Sequence, residues 1–229
     1  MTHPPPGWPG RAGGPHTAQV LLLALLVAGL GLTALAGLAL RVHLRRRAAL
    51  RAFAGERGWQ PVRVRAPRDL PLGRGARRTR RGLAGSAGGR PVRAYEVVVS
   101  RATGAEPHVA TWAVLEVGLP GPLPDLDLVP LDALTRAAAR LLPPGVELES
   151  EDFSRRYRVT SADPLAASAV LGPRTVAALL DAAPVRLRVR GDRAVCWAPG
   201  RLEPAGLAAR LAAVTAVADG VPGFLRAAA

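Results

Sequence analysis

Four carboxylates cluster in the segment "VELESEDF", where the chain could best hold a divalent cation or acid–base chemistry. They are Glu147, Glu149, Glu151 and Asp152. Alternating residues of an extended segment point to one face, and clustered carboxylates can bind a metal or exchange protons. The segment also suits a helix start, because Ser150 can cap a turn whose acidic residues lie within pairing reach of Arg155 and Arg156. We favour the interpretation that these carboxylates stabilise the start of a helix. The alternative function is a membrane-tethered enzyme that uses Glu147–Asp152.

Other side chains that could do chemistry are few. The four histidines are far apart, at His3, His16, His43 and His108. None is spaced with another histidine or a carboxylate as metal ligands are. Cys196 is the only cysteine, so neither an intrachain disulfide nor a thiolate cluster can form. It lies in an apolar segment, where we expect a buried, unreactive thiol. We therefore predict no catalytic residues, no metal site and no cofactor.

Positive charge is concentrated in one part of the chain. All 31 basic residues are arginine, and the net charge is +14. Residues 41–101 carry 17 arginines and three acidic residues, whereas residues 102–229 carry 13 arginines and 14 acidic residues. The excess of positive charge therefore lies in residues 41–101. Composition alone does not distinguish a function for these arginines from a GC-rich coding bias.

An uncharged run precedes this basic stretch. Residues 18–40 contain no charged side chain, and 23 helical residues extend about 34 Å, enough to cross a hydrocarbon core of about 30 Å. A secretory signal would place its basic residues before a shorter apolar run. Here they follow it, which predicts an outside N-terminus and a cytoplasmic C-terminus in the cell membrane. The predicted organisation is a disordered extracytoplasmic stub (1–17), a transmembrane helix (18–40), a basic juxtamembrane helix (41–58) and a cytoplasmic α+β domain (59–229).

Two sets of arginines are predicted to contact the anionic headgroups of the inner leaflet. The first set follows the span and comprises Arg41, Arg45, Arg46, Arg47 and Arg51. The second set comprises Arg77, Arg78, Arg80 and Arg81, in a Pro- and Gly-rich stretch (66–82) that we predict to be an irregular loop. Each basic residue near an anionic surface contributes about 1 kcal/mol. Nucleic acid is a less favoured partner, because no interleaved aromatic residues or groove-reading helix accompany these arginines.

Small residues recur within the apolar run. Gly29, Thr33 and Gly37 are four residues apart and share one face of a helix. Such spacing lets two membrane helices approach closely, which would allow a weak homodimer. A span rich in Ala, Gly and Leu also contains such triples by chance, and we favour that interpretation.

Short strands and helices are predicted to follow the span. Strands are predicted at 81–87, 92–100, 108–117, 126–129 and 155–161, with a hairpin at 185–198 turning at Gly191-Asp192. Helices are predicted at 132–142, 163–171 and 174–182, with a long C-terminal helix from Pro204. Strands and helices do not alternate regularly. The sequence therefore predicts an α+β domain with a mainly antiparallel sheet.

The segment Leu148–Leu180 combines an acidic-Phe-x-Arg-Arg-aromatic-x-Val pattern, an Asp-Pro helix start and a Pro-Arg helix ending in leucines. With "GERGW" at residues 55–59 and "DGVPGFL" near the C-terminus, this pattern resembles uncharacterised actinobacterial single-span membrane proteins that carry a cytosolic domain of unknown function. The resemblance implies one membrane-spanning helix and one folded domain, and it implies no particular activity. The sequence-based hypothesis is thus a non-catalytic, membrane-anchored binding or scaffold domain with an unknown protein partner.

Overall fold

The computed structural model describes residues 15–65, 69–103, 106–132, 145–182, 184–223 and 225. Most of the predicted N-terminal stub and most of the predicted helix at 132–142 lie outside these residues. The chain divides into two compact units, residues 1–48 and 49–229.

Helix α1 covers Pro15–Glu56 and contains both the apolar run and the first set of arginines. The large apolar side chains that the structure describes between Val20 and Leu44 are exposed. Its segment Leu22–Glu56 is the one helix among the described residues that is long and apolar enough to cross a membrane. The helix ends before Gly58, whose positive φ of 66° lets the chain turn away. One helix thus runs from the apolar run through the arginines that follow it.

In the described part of the second unit, six antiparallel strands form one sheet. They are β1 (Gln60–Pro61), β2 (Ala76–Ala87), β3 (Arg90–Thr103), β4 (Glu106–Pro130), β5 (Tyr157–Ser161) and β6 (Arg186–Pro199). The order is β1-β2-β3-β4-β5, and β6 also pairs with β4. Gly88 and Gly89 have φ values of 57° and 76°, which suit the two-residue turn that joins β2 to β3.

Three sequence-based predictions about the strands are wrong. The basic residues 76–81 form the first half of β2, because β3 supplies a partner from Ser100 to Glu96. The stretch 185–198 is not a hairpin, since β6 runs without reversal along β4 from Leu128 to Trp112. Likewise, the Pro- and Gly-rich segment 118–124 does not separate two strands but lies inside β4, where the pairing register shifts. In each case a long neighbouring strand satisfies the backbone, and local turn residues produce irregularities rather than reversals.

Among the described residues, four helices accompany the sheet. They are α2 (Glu151–Arg156), α3 (Pro164–Val170), α4 (Pro173–Asp181) and α5 (Pro204–Asp219). The predicted start of α3 is confirmed, because the side chain of Asp163 accepts a hydrogen bond from the Ala166 amide at 3.0 Å and Pro164 follows it. The observed elements confirm an α+β fold with an N-terminal apolar helix, an antiparallel sheet and a C-terminal helix.

The domain has two groups of buried apolar side chains. The larger group includes residues from the sheet and the helices, and Leu50 and Phe53 from the end of α1 belong to it. The ring of Trp59 meets Phe53 edge-on, with 5.8 Å between centroids, and its indole nitrogen donates to the Ser86 carbonyl at 3.1 Å. The smaller group includes Tyr95 and Trp197. Residues after the apolar run thus take part in the core of the domain.

Candidate functional site

The arginines that follow the apolar run are all exposed and lie on one helix. They are Arg41, Arg45, Arg46, Arg47 and Arg51. At 3.6 residues per turn the first four point around the helix rather than to one side. Six residues separate Arg41 from Arg47, a rise of about 9 Å, which is comparable to the depth of a headgroup layer. No acidic residue occurs before Glu56, which pairs with Arg57 at 3.5 Å. The arrangement suits a helix that leaves an anionic surface along its normal.

The arginines of β2 divide into two pairs with different environments. Arg78 and Arg80 are exposed, whereas Arg77 and Arg81 are half-buried. One guanidinium nitrogen of Arg77 donates to the carbonyls of Leu70 at 2.9 Å and Gly73 at 3.3 Å. Because side chains alternate along a strand, the four neighbouring arginines do not share one surface. Arg78 and Arg80 therefore remain available for an external anion, while Arg77 holds a loop of the fold.

Arg81 binds a buried carboxylate. Its guanidinium donates to Glu96 at 2.8 Å, and Glu96, only 3% exposed, also accepts a hydrogen bond from the Leu202 amide at 3.1 Å. The backbone of Arg81 has a φ of 51° and lies at a register shift between β2 and β3. This irregularity is a β-bulge, which re-aims a side chain. Arg81 thus ties β2 to β3 and to the segment before α5.

The acidic run divides between a helix start and a surface groove. The Ser150 hydroxyl accepts a hydrogen bond from the Phe153 amide at 3.3 Å, which caps α2. Arg155 pairs with Glu151 at 3.3 Å and with Asp152 at 2.5 Å. These contacts agree with the capping interpretation. Arg156, which the sequence also placed within reach of these carboxylates, instead donates to the carbonyls of Leu180 and Ala182 at the end of α4.

Glu147 and Glu149 are exposed and line an open groove of about 660 Å³ between the segment before α2 and the helices α3 and α4. Apolar side chains line much of it, and Ser150 and Ser168 add two hydroxyls. Its apolar lining comes from Leu148, Leu171, Pro173, Val176, Ala177 and Leu180. Cavities of about 300–1,000 Å³ with apolar walls and a few polar groups are typical binding sites. The sequence does not reveal this groove, because the residues that line it lie up to 33 positions apart.

Two further side chains that could do chemistry, Cys196 and Tyr95, are enclosed in the core. Cys196 is fully buried, and burial raises the pKa of its thiol to about 12, so it is protonated at neutral pH. The Tyr95 hydroxyl donates to the buried Glu116 carboxylate, and burial with this neighbouring charge raises the pKa of Tyr95. Among the described residues, no group of three or more His, Cys, Asp or Glu side chains could hold a metal ion.

Two arginines of β6, Arg188 and Arg190, form ion pairs with residues that are distant in sequence. Arg188 contacts both carboxylate oxygens of Asp127, at 2.5 Å and 2.9 Å. This bidentate hydrogen bonding raises the pKa of Arg188. Arg190 pairs with Asp125 at 3.1 Å and with Asp69 at 3.8 Å. The partners are more than 60 residues apart in sequence, so spacing could not reveal them. Asp125 and Asp127 meet these arginines because β6 lies beside β4, whereas Asp69 belongs to the segment between β1 and β2.

The fold and these surfaces define the chain as an α+β domain that follows an apolar helix long enough to cross a membrane. No protein-family model matches the chain, and no curated protein matches it significantly. Among solved structures, it is similar to the crystal structure of the mycobacterial trehalose monomycolate transport factor A, TtfA. The TM-score is 0.49 with 16% identity, covering 77% of this chain and 92% of that chain. A likeness this weak assigns no function.

Proposed function

We propose that this protein is a non-catalytic binding domain, anchored by α1 in the cell membrane with its C-terminal domain in the cytoplasm and docked on the anionic inner leaflet. The observation that carries the proposal is the unbroken passage of α1 from an uncharged apolar run into exposed arginines. Covalent continuity holds these arginines at the membrane surface whenever the apolar run spans the bilayer. The excess of arginine after the run, against the single Arg11 before it, supports the orientation.

The juxtamembrane arginines supply enough energy for docking without any other contact. Each basic residue at an anionic leaflet contributes about 1 kcal/mol, so Arg41, Arg45, Arg46 and Arg47 together contribute about 4 kcal/mol at low salt. The attraction declines over a Debye length of about 8–10 Å. Arg51, four residues further along the helix, contributes less. Docking should therefore weaken as salt concentration rises.

Arg78 and Arg80 provide a second contact in the proposed arrangement. Both are exposed on the same side of β2, and their neighbours Arg77 and Arg81 are engaged within the domain. They lie in the part of the chain that holds the charge excess, whereas residues 102–229 are nearly neutral. We propose that this end of β2 faces the headgroups.

The proposal of a non-catalytic role rests on how the acidic run is used. Glu151 and Asp152 are paired with Arg155 at the start of α2, so they serve the helix rather than a substrate. Glu147 and Glu149 are exposed to water, and an exposed carboxylate lacks the low-dielectric environment that tunes general acids and bases.

Protease protection tests the orientation. In right-side-out vesicles containing the full chain, the domain should resist added protease, and it should be cleaved in inverted vesicles. Cleavage of the domain from the outside of right-side-out vesicles would overturn the proposed topology.

A fluorescent label at Ser100→Cys tests the docking, because Ser100 is exposed and pairs with Ala76 beside the exposed arginines. The native Cys196 can stay, since its thiol is buried. Lipids with a quencher on the headgroup should quench this label in nanodiscs of anionic lipid, and the combined Arg78→Gln and Arg80→Gln variant or high salt should relieve the quenching. A label at Leu165→Cys, where the native side chain is 85% exposed on α3, is the matched control. If the label at Ser100→Cys is quenched equally in neutral and in anionic nanodiscs, the proposed docking on anionic lipid is wrong.

A further inference from the structure

The groove between the segment before α2 and helices α3 and α4 carries negative charge, whereas the proposed membrane-facing arginines carry positive charge. Its walls are apolar, and its charged lining residues are the two exposed carboxylates of Glu147 and Glu149. Among the residues that the structure describes, neither carboxylate forms an ion pair. The two arginines that follow these carboxylates in the chain are engaged elsewhere, since Arg155 binds the start of α2 and Arg156 binds the end of α4.

Rigid elements build the groove. Leu171 and Val176 belong to the main core, and Leu148 and Leu180 pack against it. The carbonyls at the end of α4 are held by Arg156, and α2 is capped by Ser150. The groove is therefore formed before any ligand arrives, which lowers the ordering cost of binding.

We propose that this groove binds a short protein segment that combines apolar side chains with arginine or lysine. The apolar side chains would fill the space along Leu148, Val176 and Ala177, and the cationic groups would pair with Glu147 and Glu149. Charge complementarity selects this occupant. An anionic ligand such as a phosphate or a fatty-acid carboxylate would approach two carboxylates, and like charges at an interface are disfavoured. The groove thus gives the protein a binding specificity that is separate from leaflet docking.

The test uses the full chain in nanodiscs of neutral lipid, so that leaflet docking does not contribute. The probe is a fluorescent peptide of sequence Leu-Arg-Arg-Leu-Leu-Arg-Arg-Leu, compared with versions that carry Gln for Arg or Ala for Leu. Fluorescence anisotropy should show saturable binding of the first peptide and weaker binding of both others. The combined Glu147→Gln and Glu149→Gln variant should weaken binding about two- to tenfold, as expected for two exposed ion pairs. Glu151→Gln is the matched control, because Glu151 is also exposed but does not line the groove.

A second variant tests the apolar part of the groove. Ala177 is exposed on α4 and lines the groove, so Ala177→Phe should fill it and abolish peptide binding, while Leu165→Phe on α3 should not. Circular dichroism and thermal unfolding of each variant establish that it is folded. The proposal is overturned if the peptide does not bind up to about 1 mM, or if the Gln peptide binds as well as the Arg peptide. Binding of a fluorescent fatty acid that the peptide does not displace would assign the groove to an acyl chain and overturn it too.

Discussion

Removal of Arg81 should destabilise the domain far more than removal of its exposed neighbours. In Arg81→Ala, the buried carboxylate of Glu96 loses its charged partner and keeps only the Leu202 amide. Loss of one member of a buried pair costs about 3–5 kcal/mol. Arg81 itself is 26% exposed, so water can partly reach the carboxylate, and we expect about 2–4 kcal/mol. Replacement of both residues by leucine should cost less than the single change, because no charge is then left buried.

Unfolding of the full chain by denaturant in detergent micelles, monitored by tryptophan fluorescence, measures the free energy of unfolding of each variant. Arg78→Ala is the control, since Arg78 is exposed on the same strand and should change stability by no more than about 0.5 kcal/mol. Arg81→Gly also removes the side chain, but glycine accepts the positive φ of 51° without strain. The difference in stability between Arg81→Gly and Arg81→Ala therefore measures the contribution of backbone strain. If Arg81→Ala and Arg78→Ala cost the same, the buried pair does not hold the sheet together and the reasoning is refuted.

Three further changes test the packing of the domain. Gly85→Val should destabilise it by about 2–4 kcal/mol and shift tryptophan emission, because a Cβ at Gly85 would lie 2.2 Å from a ring carbon of Trp59; unchanged emission and stability would contradict that close approach. Burial in the folded state raises the pKa of Cys196 from 9.0 to about 12. The free energy of unfolding should therefore fall above pH 9 by about 1 kcal/mol per pH unit, because only the unfolded chain loses the thiol proton there. Cys196→Ala should remove this pH dependence, which urea unfolding at pH 8 and pH 10 measures. Arg188→Gln should lower the urea midpoint by breaking the bidentate pair with Asp127, and an unchanged midpoint would show that the pair adds nothing.

Several features were predictable because their causes are local. The uncharged run and the arginines after it predict one long helix, since hydrophobic length and charge act along a continuous segment. Asp163 and Pro164 predict the start of α3, because a cap satisfies amides only three residues away. The turn at Gly88 and Gly89 also has a local cause, because it requires only the positive φ angles of these two residues.

Other features depend on partners that are distant in sequence. The residues 76–81 read as a basic loop, yet β3 provides the hydrogen-bonding edge that makes them a strand. Nothing in the arginines themselves distinguishes Arg81, which binds Glu96, from the exposed Arg80. The groove beside Glu147 and Glu149 likewise exists only because α3 and α4 pack against the segment before α2.

The sequence by itself determined where charge and hydrophobic length lie, and hence a helix that can cross a membrane followed by a basic surface. Those properties belong to continuous segments and need no folding partner. Only the tertiary structure decided which arginines and carboxylates stay exposed, because burial and pairing arise when strands and helices far apart in the chain come together. The division between surface charge and structural charge is therefore a property of the packed domain.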